Sequence, residues 1–161
     1  MSQSPKIYYF DNNATTRIAP EVADAMIPFL REFWGNPSSA YGFGAQVHQH
    51  VESAREKVAA LIHADPKEIT FTSCGTESNN SAIHSALLTT GKKHVITTAV
   101  EHSANINFGE HLKKQGYDVT FLPVEGDGSL DLHRLEQAIR PDTAIVSVMY
   151  ANNETGVIFP I

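Results

Sequence analysis

A mainly parallel α/β sheet with helices on both faces is the fold class this sequence predicts, and three observations predict it. Short runs rich in β-branched and aromatic residues alternate with longer amphipathic stretches. Those stretches are long enough for helical crossovers, which parallel strands need and hairpins do not. Finally, the polar and glycine-containing segments fall directly after the runs, where open α/β sheets bind ligands.

The strand-like runs, in chain order, are 7–10, 69–72, 94–97, 119–123 and 144–149. A helix is expected over 45–63, where Val47, Val51, Val58, Leu61 and Ile62 recur on one face. Asp65-Pro66 ends it, because the residue before a proline is pushed out of helical geometry. The run at 69–72 passes through Ser73-Cys74-Gly75-Thr76 into a second helix. His102 stands where a third should begin, after the run at 94–97. Asp131 is expected to cap a helix over 132–139 with Leu132, Leu135 and Ile139 facing inward, closed by Pro141.

At 161 residues the chain can form one ordinary globular core, and its 42% hydrophobic and 19% charged residues suit one. The net charge of -6 argues against nucleic acid or an anionic membrane as the main partner. The first six residues carry no apolar signal core and no apolar run reaches membrane-spanning length, so a cytoplasmic location is expected. The single cysteine, Cys74, excludes an internal disulfide and a cysteine-based metal cluster. His48 and His50 would point to different sides of a helix, so no metal pair is read there and no metal is expected.

Three loops have the residue types for chemistry. Ser73-Cys74-Gly75-Thr76-Glu77 opens a helix whose first N–H groups lack intrahelical acceptors, which favours a phosphate; Gly75 permits close approach and Thr76 adds a hydroxyl. Glu101-His102 would present an imidazole over the carboxyl edge of the sheet, able to stack on a flat ring or move a proton. Asn152-Asn153-Glu154-Thr155-Gly156 offers side-chain amides on a tight turn. Taken singly, each also fits an ordinary cap or turn. Together, on successive sheet-edge loops, they suit a phosphorylated planar cofactor.

Five motifs then occur in order: Phe10-Asp11-Asn12-Asn13-Ala14-Thr15-Thr16, Gly35-Asn36-Pro37-Ser38-Ser39, Thr72-Ser73-Cys74-Gly75-Thr76-Glu77-Ser78, Glu101-His102 and Ala151-Asn152-Asn153-Glu154-Thr155-Gly156. In these the chain resembles the NifS/IscS group of cysteine desulfurases, most of all the nitrogen-fixation type. These are class V aminotransferase-like enzymes of pyridoxal-phosphate (PLP) fold type I. The resemblance runs from residue 7 to residue 161. Tyr41 stands where the family often has a histidine.

The resemblance implies PLP as cofactor, L-cysteine as substrate, L-alanine as product and sulfur passed to an enzyme persulfide. It implies a homodimer, with an iron–sulfur scaffold or another protein as sulfur acceptor. Gly75 and Thr76 match the phosphate-holding positions, His102 the imidazole stacked on the ring, and Asn153 the amide near its phenolic oxygen. Asn13 and Asn36 match loops at the mouth of the site. The domain reading is a site-mouth segment at 1–16, contributing to a small domain, and the first part of the cofactor-binding large domain at 17–161. The Schiff-base lysine and nucleophilic cysteine match nothing in these residues, so the 161-residue chain alone is expected to show no turnover. Cys74 is expected to be a small buried thiol. Alternatives are a selenocysteine lyase or aminotransferase of the same fold, and a non-catalytic fragment.

Overall fold

The computed structural model describes residues 6–161; Met1–Pro5, the start of the expected 1–16 segment, lie outside the described residues. The chain forms two compact units, Met1–Phe71 and Thr72–Ile161.

The first unit contains α1 (Pro20–Arg31) and α2 (Gly42–Leu61), followed by one 3-10 turn, Pro66–Glu68. Pro20 occupies the start of α1, where its missing N–H costs nothing. The phenyl rings of Phe29 and Phe33 pack on the imidazole of His50 in α2, with centroids 5.2 and 4.9 Å apart. Helix α2 starts three residues earlier than expected and ends two earlier. Val47 and Ala59 are buried, but Val58, Leu61 and Ile62 are exposed, against the expected inward stripe. A unit of two helices and a turn has too few layers to cover it.

The runs at 7–10 and 69–72 are not strands. A strand exists only through its ladder, and among the described residues neither run has a parallel or antiparallel neighbour. The second is held differently. The Arg55 guanidinium donates to the Ile69 carbonyl and lies 5.0 Å over the Phe71 ring.

The second unit is the α/β sheet. Helix α3 (Gly75–Thr90) leads through a left-handed Gly91 (φ 66°) into β1 (His94–Thr98). Then come α4 (Ser103–Lys114), β2 (Asp118–Leu122), α5 (Leu132–Ala138) and β3 (Thr143–Ser147). The strands order β2-β1-β3, and both pairings are parallel. Alternation along the strands builds a core on each face. Val95 and Val119 pack with Ile83 and Leu87 of α3 and Leu112 of α4, while Ile96 and Leu122 pack with Leu130 and Phe159 on the opposite face. Helices therefore cover both faces, as expected. Asp131 caps α5 by accepting from the N–H groups of His133 and Arg134. Of its three expected inward residues only Leu135 packs on the core; Leu132 and Ile139 are exposed. Seven residues make two turns, and Ile139 already lies beyond them in extended geometry.

His94 is fully buried at the amino end of β1, the central strand. Its Nδ1 meets the Thr143 hydroxyl of β3 and its Nε2 the Thr120 hydroxyl of β2, both at 2.8 Å, so one imidazole ties all three strands. Burial lowers its proton affinity; Arg140 lowers it further, and Asp118 and Asp142 oppose. Below an ordinary histidine pKa of about 6.5 the unfolded chain therefore binds the proton first, so stability falls as pH drops through that value. We expect a lower urea midpoint at pH 5.5 than at pH 7.5, and a smaller difference in His94→Gln. Equal pH dependence in the two proteins would refute this assignment.

Candidate functional site

The connection from α3 to β1 is short, and α3 packs along the sheet, so the helix runs antiparallel to the strands. Its amino end consequently lies at the carboxyl edge of the sheet, the same edge from which α4 departs.

At that end Cys74 is the N-cap in extended geometry (φ -167°, ψ 170°), and the helix begins on Gly75 and Thr76. Glu77 folds back: its Oε2 accepts from the Ser73 N–H at 2.7 Å and the Ser73 hydroxyl at 2.6 Å. Those two bonds hold its carboxyl below the usual range. A Cβ on Gly75 would meet nothing within 4 Å, so no packing within the chain requires glycine there. The backbone faces open space.

Cys74 is exposed, which corrects the expectation of a buried thiol. An N-cap side chain turns back over the first helical turn rather than into a core. The Glu77 N–H first, then the Ser73 hydroxyl and Thr76, favour its thiolate and lower its pKa. We expect alkylation of Cys74 by iodoacetamide to persist to lower pH than that of a free cysteine peptide. A coincident pH profile would overturn this.

His102 is the N-cap of α4, and its Nδ1 accepts from the Ala104 N–H at 3.1 Å. With Nδ1 acting as acceptor, the neutral ring carries its proton on Nε2. The ring is exposed and lines a cleft of about 230 Å³ with Val100, Glu101, Ser103, Asn152, Asn153 and Glu154. His102 and Asn153 thus share one cleft. A neighbouring cleft of about 290 Å³ also touches Val100 and Asn152 but is otherwise walled by Val124–Gly128, Thr155 and Phe159. We take the smaller one as the candidate site because it holds the imidazole and the amide. Gly75 and Thr76 line neither cleft; they share only the sheet edge.

Two residues that sequence reasoning did not single out organise this cleft. Asn152, 8% exposed, donates to the Val100 carbonyl at 3.0 Å. Its Oδ1 accepts from the N–H groups of Glu154 and Thr155, both at 2.9 Å, and from the Thr155 hydroxyl. Glu101 accepts from Thr98, Asn105 and Met149. A local signal existed only for Asn152, since asparagine followed by turn residues favours such bonding. Asn153 is exposed and donates to Glu154 at 3.0 Å.

Asn13 and Asn36 belong to the first unit. Asn13 lies in the turn closed by the Ala14 and Thr15 N–H groups donating to the Asp11 carbonyl. Asn36 Oδ1 accepts from the Ser38 N–H at 2.9 Å. Its loop rests on α2 at Gly44, where a Cβ would come within 2.6 Å of the Asn36 carbonyl oxygen. Among the described residues no group of three or more His, Cys, Asp or Glu could hold a metal ion.

The family described as Aminotransferase class-V matches residues 8–161. Cysteine desulfurase 2 of Trichormus variabilis is 57% identical over 156 residues, covering 96% of this chain and 39% of that protein. Cysteine desulfurase NifS of Azotobacter vinelandii is 50% identical over 155 residues, covering 95% of this chain and again 39% of the relative. A solved "NIFS-like protein" superposes with a TM-score of 0.89 at 45% identity, over 94% of this chain and 42% of that one. "SspA in complex with cysteine" gives 0.88 at 35% identity, over 94% and 44%. The chain therefore spans about two-fifths of the relatives and structures it matches.

Proposed function

Since the chain belongs to the aminotransferase class-V family, we propose that it forms the phosphate-and-ring portion of a PLP-dependent cysteine desulfurase site. The observation that carries this reading is the shared cleft of His102 and Asn153, at the sheet edge where α3 begins. The residues present fit the cofactor. The open space before Gly75 admits a phosphate against the first turn of α3, with the Thr76 hydroxyl beside it. The exposed His102 ring offers a stacking face and an Nε2 proton, and Asn153 offers an amide for an oxygen on the ring. When bound, such a cofactor supplies an electron sink for amino-acid chemistry.

The wider reading follows the family resemblance of the sequence motifs, and the relatives named above are longer than this chain. It takes L-cysteine as substrate, a protein of iron–sulfur cluster assembly as sulfur acceptor, a homodimer as the assembly and the cytoplasm as the location, with nitrogen fixation as one setting. Asn13 and Asn36 are proposed as substrate-loop residues, as the family resemblance implies.

Because Cys74 is the only cysteine and neighbours the phosphate position, its alkylation reports on the site directly. Pyridoxine 5'-phosphate, which lacks the aldehyde and so cannot modify lysines, should slow that alkylation saturably. Pyridoxine should not, and inorganic phosphate should do so only at higher concentration. In His102→Ala, protection by pyridoxine phosphate should weaken about tenfold while protection by inorganic phosphate stays. Unchanged alkylation at every pyridoxine phosphate concentration would refute the proposal.

A further inference from the structure

We propose that Glu101 is a positioning residue of this site, its buried carboxylate clamping the His102 loop to the segment that leads into the Asn153 turn. The inference rests on the functional reading above only for the identity of the ligand. The clamp itself rests on geometry.

Glu101 is 8% exposed, yet its side chain serves three separate elements. Oε1 accepts from the Thr98 hydroxyl at 3.1 Å, at the end of β1, and from the Met149 N–H at 2.7 Å, just past β3. Oε2 accepts from the Asn105 amide at 3.0 Å, in the first turn of α4. A buried carboxylate is tolerated when donors surround it, and here they come from the end of β1, the first turn of α4 and the segment after β3. The carboxylate also sits immediately before the N-cap of α4, where the helix dipole favours negative charge.

Two details make this more than a cap. First, the backbone carries the consequence directly: the next residue is His102, and the Met149 bond lies three residues before Asn152. Movement of Glu101 therefore changes the spacing between imidazole and amide. Second, Asn105 turns its NH2 to Glu101 and leaves its own Oδ1 buried without a partner. A neutral amide partner would let Asn105 rotate and relieve that orphan oxygen; the arrangement holds because a carboxylate accepts on both oxygens and donates nothing. Glutamine keeps one acceptor oxygen for Thr98 and Met149 and can offer its NH2 to the Asn105 oxygen once that amide turns over, so Glu101→Gln preserves the clamp while Glu101→Leu removes it.

The test uses the full chain with Glu101→Gln and Glu101→Leu. In the absence of ligand, exchange of the Met149 amide should rise about tenfold or more in Glu101→Leu, with shifted His102 ring and Asn153 side-chain NMR signals, and both should stay near wild type in Glu101→Gln. The wild-type circular dichroism spectrum should be retained. With ligand, protection of Cys74 by pyridoxine 5'-phosphate should weaken about tenfold in Glu101→Leu and be kept in Glu101→Gln, while protection by inorganic phosphate should stay at wild-type strength in both. A purely structural role would weaken both protections together, and that result would overturn the proposal. So would unshifted His102 and Asn153 signals in a folded Glu101→Leu. If pyridoxine phosphate fails to protect the wild type, the functional reading falls; the ligand-free signals then decide the clamp alone.

Discussion

Phe159→Ala is expected to destabilise the Thr72–Ile161 unit by about 3–5 kcal/mol, the usual cost of removing a buried aromatic ring. Phe159 is 1% exposed and among the largest fully buried side chains. It fills the core formed by Ile96 of β1, Leu122 of β2 and Leu130. Its N–H donates to the Tyr150 carbonyl at 2.8 Å, beside the antiparallel bridge from Ala151 to Ile158. The ring therefore anchors the returning limb of the turn that carries Asn153. Against a typical total stability of about 5–15 kcal/mol, such a loss should be plain as a lower urea midpoint with an unchanged slope. Leu61→Ala, at an exposed site, serves as a control and should change stability by no more than about 0.5 kcal/mol. A loss below about 1 kcal/mol for Phe159→Ala would show that the ring is not part of the folded core.

Asn152→Ala is expected to cost about 2–3 kcal/mol and to concentrate its damage at the cleft. The substitution removes the donor to the Val100 carbonyl and the acceptor for the N–H groups of Glu154 and Thr155. Some of the freed groups will meet water, which keeps the cost below the sum of the bonds. Asn152→Asp separates the two functions. It keeps an acceptor for the turn, loses the donor to Val100, and should sit between wild type and alanine in stability. Amide exchange at Thr155 should quicken markedly in the alanine variant and little in the aspartate variant. Equal exchange in all three proteins would mean that Asn152 does not hold the turn.

Legibility in the sequence followed how local each cause was. The strands at 94–98, 118–122 and 143–147 were visible because their β-branched residues reflect burial on two faces of a sheet. The cap at Asp131 was equally visible, since its acceptor lies within three residues of its donors. The runs at 7–10 and 69–72 have the same residue types, yet a strand also needs a neighbour, which no local pattern records. Helix α1 carries Pro28 in its interior, which reads as a break in a helical pattern, and it buries no residue of its own. Cys74 was misread for a related reason. Its small size suggested burial, while its N-cap position turned it outward.

The sequence by itself determined the parallel α/β class, the order of the loops that carry Gly75, Thr76, His102 and Asn153, and the family. Each of these rests on residue types and short spacings, which act over a turn of helix or a step of strand. Only the tertiary structure decided that His102 and Asn153 share a cleft, and that Glu101 and Asn152 hold it together. The bonds responsible span 48 residues from Glu101 to Met149 and 52 from Val100 to Asn152. Contacts at such separations exist only after β1 and β3 have paired side by side, because sheet pairing alone brings their carboxyl ends within reach.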